Sequence, residues 1–357
     1  MARSINYLKY FTVSFILILL SCQPQPSDNN LQDNLVIYPP PPAKTRIQYL
    51  TSFSKSTDFA GKQSGINRFL MGEEEIIPII KPYGVSISNS KIYICDTGAH
   101  GLIIMNLENG EFYRFIPSGR GQLQLPLNCD TDQEGKLYIA DGNRQQVVIF
   151  DKDLKYIGEF SLAGNARPTD IKVAGDRIIV SAANLHSLQV YSKDDYSFIS
   201  SISGSDISDP SYLYQPLNFE AANNKIYISD LGSCMVKVFT EDGKLVSSFG
   251  SPGDGPGQFT RPKGISCDST GNIYVVDAAF ENTQIFNQSG QLLMHFGGTY
   301  TGPGGMYLPA DITIDYGNLD YFSKYLDPAF RLEYLIYVTN QYGPDKLSVY
   351  GFVGYTE

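Results

Sequence analysis

Oxygen-bearing side chains recur at regular intervals along the chain, and they are the first candidates for chemistry. Each stands two residues after a proline that opens an alternating segment, and the set is Asn128, Asp170, Asn218 and Asp311. Ca²⁺ prefers carboxylate and amide oxygens as ligands, so the pattern indicates a calcium site if the fold brings these residues together. The alternative is structural, because Asn and Asp side chains readily hydrogen-bond nearby backbone where a strand begins.

A cysteine near the N-terminus offers a second kind of chemistry. A mainly apolar run, residues 10–20, follows two positive charges and ends in Leu-Leu-Ser-Cys at residues 19–22. This junction resembles the bacterial lipobox, which implies a signal peptide over residues 1–21 and a lipid on Cys22. The alternative is an ordinary signal peptide or a short anchor with an incidental cysteine. By analogy with Gram-negative sorting, Gln23 favours the outer membrane of the cell envelope over the inner one.

Composition limits the partners that can be expected. Residues 22–43 are polar and proline-rich, which predicts an extended tether ahead of a domain over residues 44–357. The formal net charge is −10 and the basic residues form no cluster, whereas nucleic-acid binding depends on concentrated Lys and Arg. We therefore expect no nucleic-acid partner. The expected contacts are the membrane, through the lipid, and a protein or small molecule at the face of the domain.

Internal repetition determines the expected fold. An apolar-Tyr-apolar segment followed by a small residue and Asp occurs, for example, at residues 137–141 and 273–277. A proline precedes each of the copies, at Pro82, Pro126, Pro168, Pro216, Pro262 and Pro309. These prolines lie 42 to 48 residues apart, and a copy contains up to four short strand-like segments. That pattern is typical of propeller blades, so the sequence predicts an all-β, six-bladed β-propeller with four-stranded blades.

The last copy lacks its fourth strand, because the chain ends soon after the third. Residues 47–53 read like the fourth strands of the other copies, so this N-terminal strand is expected to close the last blade. Closure hides strand edges that would otherwise be exposed. Residues 141–147 and the glycine-rich loop 250–259 carry a pattern that resembles NHL repeats. The resemblance implies the fold of residues 44–354 and says little about function, since such propellers host many activities.

Two further sets of residues invite a functional interpretation. The second strands end in Asp96, Asp141, Asp230 and Asp277. The resemblance to NHL repeats implies that this Asp makes hydrogen bonds within a turn. The histidines are His100, His186 and His295, and His100 falls at the position of Arg144 in the next repeat. His295 lies in an outer strand, so the three side chains are not expected to converge on a zinc ion.

We expect a non-catalytic binding or scaffold propeller at a bacterial cell envelope, similar to bacterial NHL-repeat lipoproteins. The alternative is a calcium-dependent hydrolase or lactonase acting at the tunnel mouth. The set of four Asn and Asp residues loosely resembles the metal-bearing rim of gluconolactonase-type propellers. That family also needs a Glu ligand and a catalytic Asp, and neither has a place in this sequence. A third interpretation is carbohydrate binding by aromatic loops.

Two segments depart from the plain repeat. The insertion 316–332 supplies a candidate binding surface, with Tyr316, Tyr321, Phe322, Tyr325 and Phe330. Aromatic side chains are enriched in protein interfaces, and the alternative is that they pack on their own blade. The second segment is 56–81, where the apolar spacing over 66–77 predicts a short amphipathic helix.

Four cysteines remain after Cys22 is assigned to the lipid. They are Cys95, Cys129, Cys234 and Cys267. Their places in the repeat are compatible with two disulfides between neighbouring blades, or with small buried thiols.

Overall fold

Six antiparallel sheets repeat along the chain, as the spacing of the prolines predicts. The structure is a computed structural model and describes residues 35–60 and 75–356. Five sheets contain four consecutive strands each, and the sixth combines strands from both ends of the propeller. The predicted six-bladed β-propeller is therefore confirmed. Cys22, the predicted signal peptide and residues 66–74 of the predicted helix lie outside the described residues.

The strands are numbered in chain order. The closing segment contains β1 (Ile37–Tyr38) and β2 (Ile47–Phe53), blade 1 contains β3 (Pro82–Ser88), β4 (Lys91–Asp96), β5 (Gly101–Asn106) and β6 (Phe112–Phe115), and blade 2 contains β7 (Pro126–Thr131), β8 (Leu137–Asp141), β9 (Gln146–Phe150) and β10 (Tyr156–Ser161). Blade 3 contains β11 (Pro168–Ala174), β12 (Arg177–Ala182), β13 (Ser187–Ser192) and β14 (Phe198–Ile202), and blade 4 contains β15 (Pro216–Ala222), β16 (Lys225–Asp230), β17 (Met235–Thr240) and β18 (Leu245–Phe249). Blade 5 contains β19 (Pro262–Cys267), β20 (Ile273–Asp277), β21 (Asn282–Phe286) and β22 (Leu292–Gly297), and blade 6 contains β23 (Pro309–Asp315), β24 (Phe330–Asn340) and β25 (Leu347–Tyr355).

Short helices occur in the connections. They are α1 (Ser56–Ala60), α2 (Leu319–Phe322) and the 3-10 turns η1 (Gly119–Gly121), η2 (Ala163–Asn165), η3 (Ala183–Leu185) and η4 (Ser323–Tyr325). No helix among the described residues is long and apolar enough to cross a membrane.

The first strand of each blade lines a central tunnel. These strands are β3, β7, β11, β15, β19 and β23, and each contacts the first strands of both neighbouring blades. The contacts continue from blade 6 back to blade 1, so the ring is closed. The beginnings of the six strands therefore share one rim, which we call the tunnel mouth.

The two ends of the described propeller pair in blade 6. Strand β2 is antiparallel to β25, with Ile47 opposite Phe352, which confirms the predicted closing strand. Strand β1 then pairs with β2 and makes this sheet five-stranded. The hydroxyl of Tyr38 also donates to the carbonyl oxygen of Gly304 at 3.3 Å. Ordered pairing thus begins within residues 22–43, the segment that the sequence assigns to a tether, because β1 finds a strand partner there.

Apolar cores lie between neighbouring blades. Each of the core clusters draws side chains from two adjacent sheets. The tyrosine of the repeated motif is buried in five blades, as Tyr93, Tyr138, Tyr227, Tyr274 and Tyr337. Full burial of one large apolar side chain contributes about 1.5–3 kcal/mol. The repeat therefore stabilises blade-to-blade packing as well as each sheet.

Candidate functional site

A β-bulge follows the proline at the start of every first strand. The pairing register shifts between Pro168 and Asp170 in blade 3 and between Pro126 and Asn128 in blade 2, and the other blades show the same irregularity. Bulges redirect side chains and are common near functional sites. In blades 2 and 3 the residue just after the shift is Asn128 or Asp170, and these two side chains contact each other across the blades.

The four predicted ring residues meet at the tunnel mouth. Nδ2 of Asn128 donates to Oδ1 of Asp170 at 2.6 Å and to Oδ2 of Asp311 at 3.1 Å. Nδ2 of Asn218 donates to Oδ1 of Asp311 at 3.3 Å. All four side chains are buried. We call Asn128, Asp170, Asn218 and Asp311 the acid–amide cluster.

Backbone N–H groups supply further donors to the cluster. Oδ2 of Asp311 accepts from the N–H of Val85 at 3.0 Å. Oδ2 of Asp170 accepts from the N–H of Phe219 at 2.8 Å, and Oδ1 accepts from the N–H of Ile171 at 2.8 Å. Each of the four carboxylate oxygens therefore receives at least one N–H donor from the protein.

In blades 1 and 5 the residue two places after the repeat proline is a glycine, Gly84 and Gly264. Each lets the first strand of the next blade approach closely. A Cβ on Gly84 would lie 2.3 Å from Oδ1 of Asn128. A Cβ on Gly264 would lie 2.5 Å from Cα of Asp311. Any larger residue at these positions would push the acid–amide cluster apart.

Burial raises the pKa of both carboxyl groups in the cluster. The pKa of Asp311 rises to about 6. The pKa of Asp170 rises well above its usual value, first through burial and then through the charge of Asp311. Lys172 acts in the opposite direction on both groups. The native state therefore favours a cluster that carries less than its full negative charge.

This arrangement does not fit a calcium ion. Ca²⁺ takes six to eight oxygen ligands, whereas the carboxylate oxygens of Asp170 and Asp311 face N–H groups. The amide groups of Asn128 and Asn218 point their nitrogens, not their oxygens, at the carboxylates. Among residues 35–60 and 75–356, no three His, Cys, Asp or Glu side chains are grouped as a metal site.

A second polar layer lies two residues further along the first strands. Nζ of Lys172 lies 3.3 Å from Oε2 of Glu220, which also accepts from the hydroxyl of Ser266 at 3.4 Å. Asp130 accepts from the N–H of Val173 at 2.8 Å. Burial opposes the charge of Lys172, yet the carboxylates of Glu220 and Asp130 raise its pKa above the usual value. This lysine balances acidic groups inside the tunnel.

The aspartates that end the second strands make turn hydrogen bonds, as predicted. Oδ2 of Asp141 accepts from the N–H of Gln124 at 2.6 Å, and Oδ1 accepts from the N–H groups of Leu125 and Arg144 at 3.0 Å. The same arrangement holds for Asp96, Asp230 and Asp277. Each of these carboxylates ties the end of the second strand to the segment that leads into the first strand of its blade.

Two histidines link neighbouring blades. Nδ1 of His100 lies 2.6 Å from the carbonyl oxygen of Gln124, and Nδ1 of His186 lies 2.6 Å from that of Tyr214. A carbonyl only accepts, so Nδ1 carries the proton in both rings. The predicted match of His100 with Arg144 is wrong by one residue, and His100 corresponds to Gln145. Both residues have positive φ, 53° for His100 and 58° for Gln145, at the same place in the turn.

The family comparison agrees with this geometry. The DUF5128 model, described as a 6-bladed beta-propeller, matches residues 208–282. That stretch contains all of β15 to β20.

A sequence comparison finds a relative that contains NHL repeats. NHL repeat-containing protein 3 of Homo sapiens is 32% identical over 141 residues, which is 38% of this chain and 40% of the human protein. The chain is a six-bladed β-propeller that is similar to an NHL-repeat protein over this region. The matched region spans less than half of the human protein.

Solved structures share the six-bladed fold at low sequence identity. A streptogramin B lyase structure has a TM-score of 0.53 and 15% identity, over 79% of this chain and 85% of that chain. A catalytically inactive virginiamycin B lyase from Staphylococcus aureus, with quinupristin, has a TM-score of 0.52 and 16% identity, over 76% of this chain and 95% of that chain. These similarities show the fold alone.

The aromatic insertion of blade 6 packs mainly on its own blade. Phe322 is completely buried, and Phe330 is 7% exposed. Tyr321 stacks on Phe59 with 5.8 Å between ring centroids. Phe322 and Phe330 therefore do not form part of a binding surface, because their area is already covered by the core.

The exposed part of the insertion is small. Tyr316 is 45% exposed, and its hydroxyl accepts from the N–H of Ser269 at 2.7 Å. Nζ of Lys324 lies 4.4 Å from the ring centroid of Tyr321 and 5.0 Å from that of Tyr325. Tyr316, Tyr321 and Tyr325 remain a predicted binding surface.

The cysteines outside the lipidation motif are thiols in the structure. Cys95 and Cys129 are buried, whereas Cys234 and Cys267 are partly exposed. Cys95 and Cys129 come from blades 1 and 2 and share one core cluster. Burial, followed by contact with Cys129, raises the pKa of Cys95.

Sequence reasoning missed a group of cations at the tunnel mouth. Lys81 and Arg261 directly precede repeat prolines, and Lys263 directly follows one. Nζ of Lys263 lies 5.1 Å from the ring centroid of Tyr83, and Nζ of Lys81 lies 5.5 Å from that of Tyr342. The sequence does contain a pattern that points to these cations. A basic residue directly before the repeat proline recurs in three of the six repeats, at residues 81, 167 and 261.

Proposed function

We propose that this protein is a non-catalytic binding propeller, held at a bacterial cell envelope by lipid on Cys22. The Leu-Leu-Ser-Cys sequence at residues 19–22 supports the anchor. The NHL-type fold supports a binding role, since a closed ring of blades presents a rigid face to a partner. The membrane is the first partner, and a small molecule or protein at the tunnel mouth is the second.

The hydrogen bonding of the acid–amide cluster carries the proposal. A general base must lie within hydrogen-bond reach of the proton that it removes. Asp170 and Asp311 instead direct their oxygens at N–H groups of the protein. His100 and His186 hold carbonyl oxygens of neighbouring blades with Nδ1. These groups support the ring and the tunnel, which favours binding over turnover.

Membrane fractionation tests the anchor. Cys22→Ser should release the protein from membranes, because the proposed lipid attachment atom is lost. Cys234→Ser is a matched control, since it removes a partly exposed thiol elsewhere and should leave the protein in the membrane fraction. A Cys22→Ser protein that still fractionates with membranes and is still cleaved after Ser21 would contradict the lipobox interpretation.

A turnover assay tests the absence of catalysis. Lactone and ester substrates should be hydrolysed no faster by the wild-type protein than by the double variant Asp170→Asn with Asp311→Asn, with or without Ca²⁺. Calcium-dependent turnover that the double variant lacks would replace the binding function by a hydrolase.

A further inference from the structure

Three cations lie close enough to act on one another at one side of the tunnel mouth, although the chain as a whole has a net charge of −10. They are Lys81, Arg261 and Lys263. Within residues 35–60 and 75–356, none of them has a carboxylate oxygen within 4.0 Å of its charged nitrogens. A basic group without acidic partners is conspicuous in such an acidic protein, because nearby carboxylates are plentiful.

Lys263 is the least expected of the three. Its residue is 4% exposed, and its ammonium donates no hydrogen bond to the described part of the chain, yet Nζ is not among the fully buried atoms that lack a partner and so keeps some exposure. Lysine is almost never so buried unless it is paired. The side chain reaches from blade 5 to Tyr83 in blade 1. Blade 6 lies between those blades in the ring and has Ala310 at the corresponding position, which leaves room for this reach.

Another buried lysine provides the contrast. Lys237 is 5% exposed, close to the value for Lys263. Its ammonium donates to the carbonyl oxygens of Pro210, at 3.1 Å, and Tyr212, and it lies 4.0 Å from Oδ2 of Asp230. The fold therefore supplies partners for the ammonium of Lys237 and supplies none for that of Lys263 within the described residues.

The electrostatic surroundings of Lys263 follow from this geometry. Burial lowers its pKa to about 8, and the charges of Arg261 and Lys81 act in the same direction. Asp311 acts in the opposite direction. Tyr83, the aromatic neighbour, has its own pKa raised by burial. The groups around the ammonium thus weaken its hold on the proton, although a pKa of about 8 still leaves it mostly protonated at pH 7.

We propose that Lys263, Arg261 and Lys81 form a binding site for a small oxyanion, a carboxylate or a tetrahedral phosphate-like group, at the tunnel mouth. This inference rests on the proposed binding function and names its ligand class. A bound oxyanion gives the ammonium of Lys263 its missing acceptor. Arg261 is exposed and has a planar guanidinium suited to two parallel hydrogen bonds with an oxyanion. Lys81 adds charge from the neighbouring side.

Isothermal titration of the purified full-length protein tests the site. The probes are sodium sulfate, for the tetrahedral class, and sodium succinate, for the carboxylate class, with sodium chloride at matched ionic strength as the blank. Both anions keep a constant charge between pH 7 and pH 9, so a change of affinity reports the protein. We expect saturable binding of at least one probe at pH 7, and the tighter one identifies the ligand class.

The pH dependence separates Lys263 from general surface charge. About a tenth of the Lys263 side chains stay protonated at pH 9 if the pKa is about 8. Arg261 remains charged over this range. We therefore expect the dissociation constant to rise about tenfold between pH 7 and pH 9. An unchanged constant, or no binding of either probe, overturns the proposal.

Three variants complete the test. Lys263→Met should abolish the pH-dependent binding without lowering the melting temperature, because it removes a buried charge that has no partner. Lys237→Met should lower the melting temperature and leave anion binding intact. Arg261→Gln, at an exposed position, should weaken binding and keep its pH dependence. Binding that survives Lys263→Met refutes the site. Turnover of lactones beside intact anion binding would refute the non-catalytic function and leave the site standing.

Discussion

Replacing Asp311 by Asn tests whether the acid–amide cluster has a structural role at the tunnel mouth. Asp311 is 4% exposed, and burial raises the pKa of its carboxyl to about 6. An ordinary aspartate has a pKa of about 4. The native state therefore favours the neutral carboxyl, and ionisation at pH 7 lowers the free energy of unfolding. Two pKa units correspond to about 3 kcal/mol.

The substitution also removes a charged acceptor. Oδ2 of Asp311 accepts from the N–H of Val85 and from Asn128, and an amide oxygen can take over that role. Oδ1 accepts from Nδ2 of Asn218, whose amide must turn over to face the new NH₂ group. Losing a hydrogen bond to a charged group costs about 1.5 kcal/mol. The net expectation is a gain of about 1–2 kcal/mol at pH 7.

The stabilising effect of Asp311→Asn fades in acid. Because the folded pKa of Asp311 is raised, the native state binds a proton between pH 6 and pH 4 that the unfolded chain does not bind. The wild-type protein gains stability from Asp311 as the pH falls through this range, and the variant does not. Guanidinium unfolding followed by tyrosine fluorescence at pH 7 and pH 4.5 measures both effects. We expect the advantage of Asp311→Asn at pH 7 to disappear at pH 4.5.

Two results would refute this reasoning. If Asp311→Asn lowers the free energy of unfolding by the same amount at both pH values, the buried charge is not the dominant effect. If Ca²⁺ stabilises the wild-type protein and not the variant, the cluster holds a cation. The gain would be about 2.7 kcal/mol at a hundredfold excess over Kd.

Three other predictions concern stability, each measured as a change in unfolding midpoint. Deleting residues 44–54 should lower the free energy of unfolding by about 6 kcal/mol, since β2 buries three apolar side chains at about 2 kcal/mol each. Deleting residues 23–34 is the control, and equal midpoints for the two deletions would contradict the closing role of β2. Asp277→Asn should cost about 3 kcal/mol, because both carboxylate oxygens accept backbone N–H groups; a neutral result would show that the turn does not need the carboxylate. Lys172→Met should cost about 3 kcal/mol by leaving Glu220 without its cation, and a more stable variant would contradict the charge balance inside the tunnel.

The periodic features of the molecule could be predicted from the sequence. Equivalent positions of a repeat lie at equivalent heights in a ring, so the spacing of Asn128, Asp170, Asn218 and Asp311 was enough to predict that they meet. The likeness between copies also predicted the closing strand at residues 47–53, whereas the turn role of Asp141 was implied by the resemblance to NHL repeats. The predictions made from the repeat use residues within one copy, and they apply to the equivalent residues of the other copies.

Features outside the repeat were less predictable. The aromatic residues of the insertion are equally compatible with an interface and with a core, and only the packing of Phe322 under Tyr321 decides between them. The strand at Ile37–Tyr38 lies in a segment whose composition predicts a tether. It pairs because closure leaves one edge of β2 open to it.

The sequence by itself determined the number of blades, their four-strand pattern and the way in which the ring closes, because hydrophobic alternation and turn residues act over short distances along the chain. Only the tertiary structure decided which charges have partners. Lys237 and Lys263 are both lysines in predicted strands, yet the ammonium of Lys237 meets carbonyl oxygens and a carboxylate, whereas that of Lys263 has no acceptor among the described residues. The hydrogen-bond partners and the burial of a side chain depend on residues that are distant in the chain. Those residues come into contact only when the propeller has closed.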